Sequence, residues 1–295
     1  MAMMRLDAKQ VLARHDKALT KKEDFRSLYD EAYEFALPQR NLYDGYYDGG
    51  VQGQKKMNRV FDSTAINSTQ RFANRMQSGI FPPQRKWCRL EPGSDIPQER
   101  KAEAQAALDA YGDKLFDTLK QSNFDIAIGE FLLDLCVGTA VMLVQPGDDT
   151  HPINFISVPQ FLVSFDEGAN GQVDNVYRRM KLKAESIQRQ WPDAKLPDEL
   201  KNLIDQKPTE EVDLIEATVF DPERGDYCYH VIHKKSKTEL VYRRMDNTPW
   251  IVSRYAKIAG ETYGRGPLIT AMPDIKTLNK TLELVLKNAS LSISG

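Results

Sequence analysis

The sequence predicts an α+β fold, with a helical N-terminal part packed on a mainly antiparallel sheet and a long helix at the end. Three observations carry this. Up to about residue 137, apolar residues recur at three and four positions, the helical period. From about 139 to 257, short runs rich in Val, Ile, Tyr and Phe alternate with turns of Gly, Asn and Asp. From Pro267 to Ser294 the helical period returns without interruption.

The first predicted helix covers Asp7 to Phe35, with Phe25, Leu28, Tyr29, Ala32 and Phe35 on one face and Pro38 ending it. The run from Asn41 to Gly50, rich in Tyr, Asp and Gly, reads as a loop. Lys55 to Ser78 reads as a second helix, with Gly79 as its stop and Pro82-Pro83 forbidding continuation. Arg85 to Pro92 has strand character. Gln98 to Gln121 is a third helix, and Ser122 or Asn123 caps a fourth that runs to Val137. Gly138 breaks that helix, and 139–145 reads as a strand. Residues 161–182 read as two strands around a Gly/Asn turn, followed by short helices at Ala184–Trp191 and Pro197–Asp205. Four strand-like runs follow at 211–220, 226–234, 238–244 and 249–257.

The last helix carries a continuous apolar stripe of Leu268, Met272, Ile275, Leu278, Leu282, Leu286, Ala289 and Ile293. Lys276, Lys280, Glu283 and Lys287 fall together on another face. Lys276, Lys280 and Lys287 are candidates to offer mobile positive charge to passing DNA. A solvated face, or contact with neighbouring helices, is the plainer reading of the same stripe. Tyr263, Gly264, Arg265, Gly266 and Pro267 read as a structural turn ahead of the helix. Gly266 is expected to supply a φ angle that other residues disfavour. A stripe of this length needs a partner, so the chain is expected to be truncated, oligomeric or both.

Of 295 residues, 41% are hydrophobic and 28% charged, which fits a globular protein. A net charge of -2 argues against tight DNA binding but permits a surface that DNA slides past. Cys88, Cys136 and Cys228 are too few and too scattered for a disulfide framework. No apolar run is long enough for a membrane span, and the N-terminus lacks the apolar core of a secretory signal.

No phosphate-binding P-loop, zinc-protease helix or serine elbow is present, and no cofactor is implied. Cys228, His230 and His233 are the one metal-like cluster. In a strand, Cys228 and His230 share a face while His233 points to the other, so they cannot close a tetrahedral site. Asp148-Asp149 and Asp166-Glu167 read as turn formers beside glycine. Tyr227 and Tyr229 could stack on bases, but the alternation fits better with a sheet face on a core.

The segment 254–293, with Tyr263-Gly-Arg-Gly-Pro267 followed by Asp274-Ile-Lys-Thr-Leu-Asn279, resembles the core motif of portal (head-to-tail connector) proteins from short-tailed, T7-like bacteriophages. The helix ending at Leu37-Pro38, the Asp62-Ser63 start ending in Pro82-Pro83, the strand with Trp87, and the Ser122-Asn-Phe helix with its Asp134 to Gly138-Thr-Ala turn agree with that family in order. The resemblance implies a structural protein and not an enzyme. It implies a homo-oligomeric ring of twelve subunits at one capsid vertex, through which double-stranded DNA is packaged and ejected. The implied partners are the major capsid and scaffolding proteins, the terminase and the tail adaptor, with no membrane. The implied location is the virion, after assembly in the host cytoplasm. By position, 1–266 resembles the wing and 267–295 the first stem helix, with clip, second stem helix and crown absent. The competing readings are a metal-dependent nuclease and a minor scaffolding or tail component.

Overall fold

The computed structural model describes residues 6–40, 59–83 and 85–294. In chain order the elements are α1 (Ala8–Glu23), α2 (Arg26–Ala36), α3 (Thr64–Ile80), α4 (Lys101–Gln121), α5 (Phe124–Val137), β1 (Thr139–Pro146), β2 (Ile153–Val158), β3 (Val163–Glu167), β4 (Val173–Lys183), α6 (Ala184–Gln190), α7 (Asp198–Gln206), β5 (Glu211–Asp221), β6 (Asp226–His233), β7 (Thr238–Met245), β8 (Trp250–Arg254) and α8 (Pro267–Ser294). Among the described residues five helices come first, the antiparallel strands follow with only α6 and α7 among them, and the long α8 ends the chain, as the α+β expectation requires. The described parts of 1–30, 159–252 and 257–264 form one compact unit, and those of 31–158, 253–256 and 265–295 form another.

The first unit is built on a five-stranded antiparallel meander, β3-β4-β5-β6-β7. Its central strands are buried on both faces, so Leu214 to Val219 reads as an unbroken buried run rather than an alternation. Trp191 of the segment after α6, Leu200 of α7 and Ile187 of α6 cover the face that carries Leu214, Tyr229 and Val231. α1 covers the opposite face, placing Val11 and Ala18 against Tyr177, Ala217, Val219 and Ile232. Its buried stripe is Val11, His15, Ala18 and Lys22, spaced at four, three and four residues. Asp7 opens the helix with a reciprocal capping box. Its carboxylate accepts the Gln10 N–H at 2.7 Å, and the Gln10 side chain accepts the Asp7 N–H at 3.0 Å. Such a cap stabilises a helix by about 1 kcal/mol.

The single helix expected over Asp7–Phe35 is two helices, interrupted at Asp24–Phe25. Lys22 is buried there, and its ammonium donates to the carbonyls of Gln160 and Phe161 at 2.9 and 2.5 Å. The break turns Phe25 towards Tyr263, with ring centroids 5.4 Å apart.

The second unit is organised around α5, which is apolar on almost every face. Phe131, Leu132 and Leu135 pack with Ala73 of α3, Met142 of β1 and Phe155 of β2. The small sheet has the order β2-β1-β8. β2 is a strand that the sequence reading passed over. Ring contacts link Phe81, Trp87, Phe116, Phe124 and Phe155, each with its neighbours 5.0 to 6.0 Å away.

Four local features depart from the sequence expectation. Arg85 to Pro92 pairs with no strand. It runs extended along α4, held by Lys86 to Asp113, Arg89 to Asp109 at 3.1 Å and the Leu90 carbonyl to Gln105 at 3.0 Å. The helix expected from Lys55 begins at Thr64, because Asp62 folds an Asx turn onto the Thr64 N–H at 2.9 Å. Positions 55–58 lie outside the described residues, as does the loop expected at 41–50. Gly79 does not stop that helix, which continues through Ile80. Asn123 sits at the start of α5, but its side chain serves β2 instead. It donates to the Phe155 carbonyl at 2.7 Å and accepts the Phe155 N–H at 2.8 Å.

Candidate functional site

In the first unit, Tyr263 is fully buried, with its ring 4.4 Å from that of Phe165. Burial pushes its phenol well above the usual range. Gly264 follows, buried, and its carbonyl accepts the Tyr29 hydroxyl at 2.5 Å. In the second unit, the Arg265 N–H donates to the Ala256 carbonyl at 2.9 Å and the Gly266 N–H to the Val137 carbonyl at 2.8 Å. Pro267 then takes the first helical position, where a missing N–H costs nothing.

Gly266 departs from its expectation. It does not adopt a left-handed φ, unlike Gly171, Gly225 and Gly260. Its constraint is contact. A Cβ there would stand 2.1 Å from the Cys136 carbonyl oxygen and 2.6 Å from the Val137 carbonyl carbon. Glycine is required because the helix start lies directly against the C-terminal turn of α5.

The buried face of α8 is short. Leu268 and Met272 are buried, and Ile275 and Leu282 are half-buried. Asn279 is 7% exposed and occupies the stripe where an apolar residue would fit, while its neighbour Leu278 is 42% exposed. Its Oδ1 accepts the Phe61 N–H at 2.7 Å and the Asp62 N–H at 3.3 Å, and its Nδ2 donates to the Arg59 carbonyl at 2.9 Å. Beyond Glu283 the described helix is uncovered. Leu286, Leu291 and Ile293 are 56%, 71% and 87% exposed. The described residues therefore cover only the first half of the stripe read from the sequence, and within it Leu278 stays exposed.

Lys276, Lys280 and Lys287 are all exposed, and each faces a carboxylate. Lys276 reaches Glu31 at 2.9 Å, while Lys280 and Lys287 reach Glu283 at 2.9 and 2.5 Å. Hydrogen bonds from Lys287 and then Lys280 hold the Glu283 carboxyl below the usual range. Exposed pairs of this kind are weak and exchange readily with solvent or another anion. Phe35, Arg59, Phe61, Lys276, Lys280 and Glu283 line an open groove of about 780 Å³ beside the helix.

The other chemistry-bearing residues are tied into the fold. His230 is buried against Glu239 at 2.7 Å, His233 bonds Ser236 at 2.7 Å, and Cys228 lies near the Tyr242 hydroxyl. Tyr229 is buried and donates to Glu216 at 2.7 Å. Asp148 accepts from the Thr150 and His151 N–H groups, which makes it a turn former. Among the described residues no three His, Cys, Asp or Glu side chains are grouped to hold a metal, and no helix is long and apolar enough to cross a membrane.

Two residues that organise this unit had no role assigned from the sequence. Asn279 lay inside the quoted motif, and its signal was a polar side chain on the 268, 272, 275, 282 stripe. Asp134 interrupts the most apolar helix of the chain. It is buried and accepts from Arg40 Nε at 3.1 Å, Arg40 Nη2 at 2.8 Å and the Tyr33 hydroxyl at 3.1 Å.

The chain belongs to the bacteriophage head to tail connecting protein family, whose profile matches residues 8–295. That family is structural and not enzymatic. The chain is also similar to the "Probable portal protein" of Bordetella phage BPP-1, at 22% identity over 290 residues, covering 92% of this chain and 51% of that protein. The chain thus spans about half the length of that curated relative.

Proposed function

We propose that this chain is the wing and first stem helix of a portal subunit, with 1–266 as the wing and 267–295 as the start of the stem. Twelve copies close into a ring at one capsid vertex, and double-stranded DNA passes through it during packaging and ejection. The ring is assembled in the host cytoplasm, where it meets the major capsid and scaffolding proteins. It docks the terminase during packaging and later holds the tail adaptor.

The observation that carries this reading is the uncovered half of α8. Leu286, Leu291 and Ile293 would cost about 1.5–3 kcal/mol each to leave in water when a partner helix could cover them. A closed ring supplies a neighbour on both sides of every such helix. Lys276, Lys280 and Lys287 then stand where a channel lining needs exchangeable charge, since weakly paired cations can hand over to passing phosphates without stalling them.

Electron microscopy of the purified protein tests the ring directly. Lys276→Glu, Lys280→Glu and Lys287→Glu should alter DNA retention while leaving rings intact. Loss of the ring in these variants would make the lysine face a contact between subunits.

A further inference from the structure

A second group of exposed cations lies on α3. The 28 residues from 63 to 90 contain no Asp or Glu but five basic residues, in a chain whose acids outnumber its Lys and Arg, 42 to 40. α3 occupies most of that stretch. Its apolar side, with Ala65, Thr69 and Ala73, is buried against α5. Its exposed arc presents Arg71 and Arg75, flanked by Asn67, Ser68, Asn74 and Ser78. At 100° per residue the two arginines stand about 40° apart, one turn from each other on one face. Neither bonds a carboxylate among the described residues, whereas all three α8 lysines do.

We propose that the exposed face of α3 is a second nucleic-acid surface, which grips the sugar-phosphate backbone of a duplex from outside any channel. Charge complementarity selects the partner. Backbone recognition uses Arg together with Ser, Asn and Gln donors, and it needs no base-reading group. That set fills this arc, and no carboxylate on the helix repels a phosphate. An acidic protein segment would offer carboxylates to the same donors, so competition between the two polyanions separates the partners. The surface is separate from α8, so the inference does not depend on the channel reading.

The test is fluorescence anisotropy of a labelled random-sequence duplex with the full chain, titrated from about 50 mM to about 200 mM salt. Each arginine held on one phosphate contributes about 0.9 to the slope of log affinity against log salt. Arg71→Gln with Arg75→Gln should lower that slope by about 1.8 and weaken binding at the lower salt by tenfold or more. Arg71→Lys with Arg75→Lys should keep most of the slope. Both positions are exposed, so circular dichroism should be unchanged. Lys276→Gln, Lys280→Gln and Lys287→Gln together should leave a binding component that the α3 variant removes. The proposal is overturned by an unchanged slope in the Arg→Gln pair, or by loss of all binding in the α8 variant. Failure of the wild type to bind duplex, or displacement of duplex by poly-glutamate at equal charge concentration, would overturn it as well. The last result would assign the face to an acidic protein.

Discussion

Asn279 of α8 accepts the backbone N–H of Phe61 at 2.7 Å, across 218 residues of sequence. The contact sets where α3 can begin. Residues 59–62 are pinned by one amide side chain, and Asp62 then turns the chain into Thr64.

If the position were simply one more member of an apolar stripe, Asn279→Leu would stabilise the protein. The structure gives the opposite sign. Leucine cannot replace two accepted N–H bonds and one donated bond, so unfolding free energy should fall by about 1–3 kcal/mol. Urea unfolding at neutral pH measures it. An increase in stability would show that 59–62 is held by something other than this clamp.

Asp134 gives a sharper case. It is buried on α5 and held by the fork of Arg40 and the Tyr33 hydroxyl. Asp134→Ala leaves the half-buried guanidinium with only the more distant Glu130 carboxylate, at 3.9 Å, and should cost about 3 kcal/mol. Changing both, Asp134→Leu with Arg40→Met, removes the uncompensated charge and should recover most of that loss. A double variant as unstable as the single one would mean that the pair does more than neutralise itself.

The two glycines around α3 and α8 separate on contact rather than on φ. At Gly266 a Cβ would press on the Cys136 carbonyl, so Gly266→Ala should destabilise by more than about 2 kcal/mol. At Gly79 nothing lies within 4 Å of a built Cβ, and the residue is helical. Gly79→Ala should therefore raise stability by about 0.5–1 kcal/mol. Thermal melts of the two variants should move in opposite directions.

What the sequence disclosed follows from where local pattern acts alone. α8 was legible from its helical period, while α5 and β5 were legible as long apolar runs bounded by turn residues. β2 was missed because its six residues sit between turn formers and offer no alternation. Arg85–Pro92 was misread because an extended chain packed on a helix has strand-like residues without a strand partner. The break at Asp24 was invisible because its cause, the Lys22 ammonium seeking carbonyls at 160 and 161, is 138 residues away. At the candidate site, the motif located the turn and the helix. The helical period put Glu283 beside the lysines, but it could not show that Glu31 faces Lys276, because the two lie 245 residues apart.

Buried histidines give the first unit an acid limit. His15 is 1% exposed on the packed face of α1, and burial holds its imidazole below the usual 6.5, with Arg179 and Lys234 acting in the same direction and Asp16 opposing them. His233 is lowered from the same value, again by burial first. A lowered folded-state value means that the unfolded chain binds the proton more readily. Stability is thus complete above about pH 6.5 and is lost as pH falls below it towards the folded-state values. Melting temperature measured from pH 7.5 down to pH 5 should decline over that window. His15→Gln should flatten the decline while lowering stability at neutral pH through imperfect packing against Tyr177, whose ring lies 6.0 Å away. An unchanged slope in His15→Gln would assign the acid sensitivity to His233, and His233→Gln would then remove it.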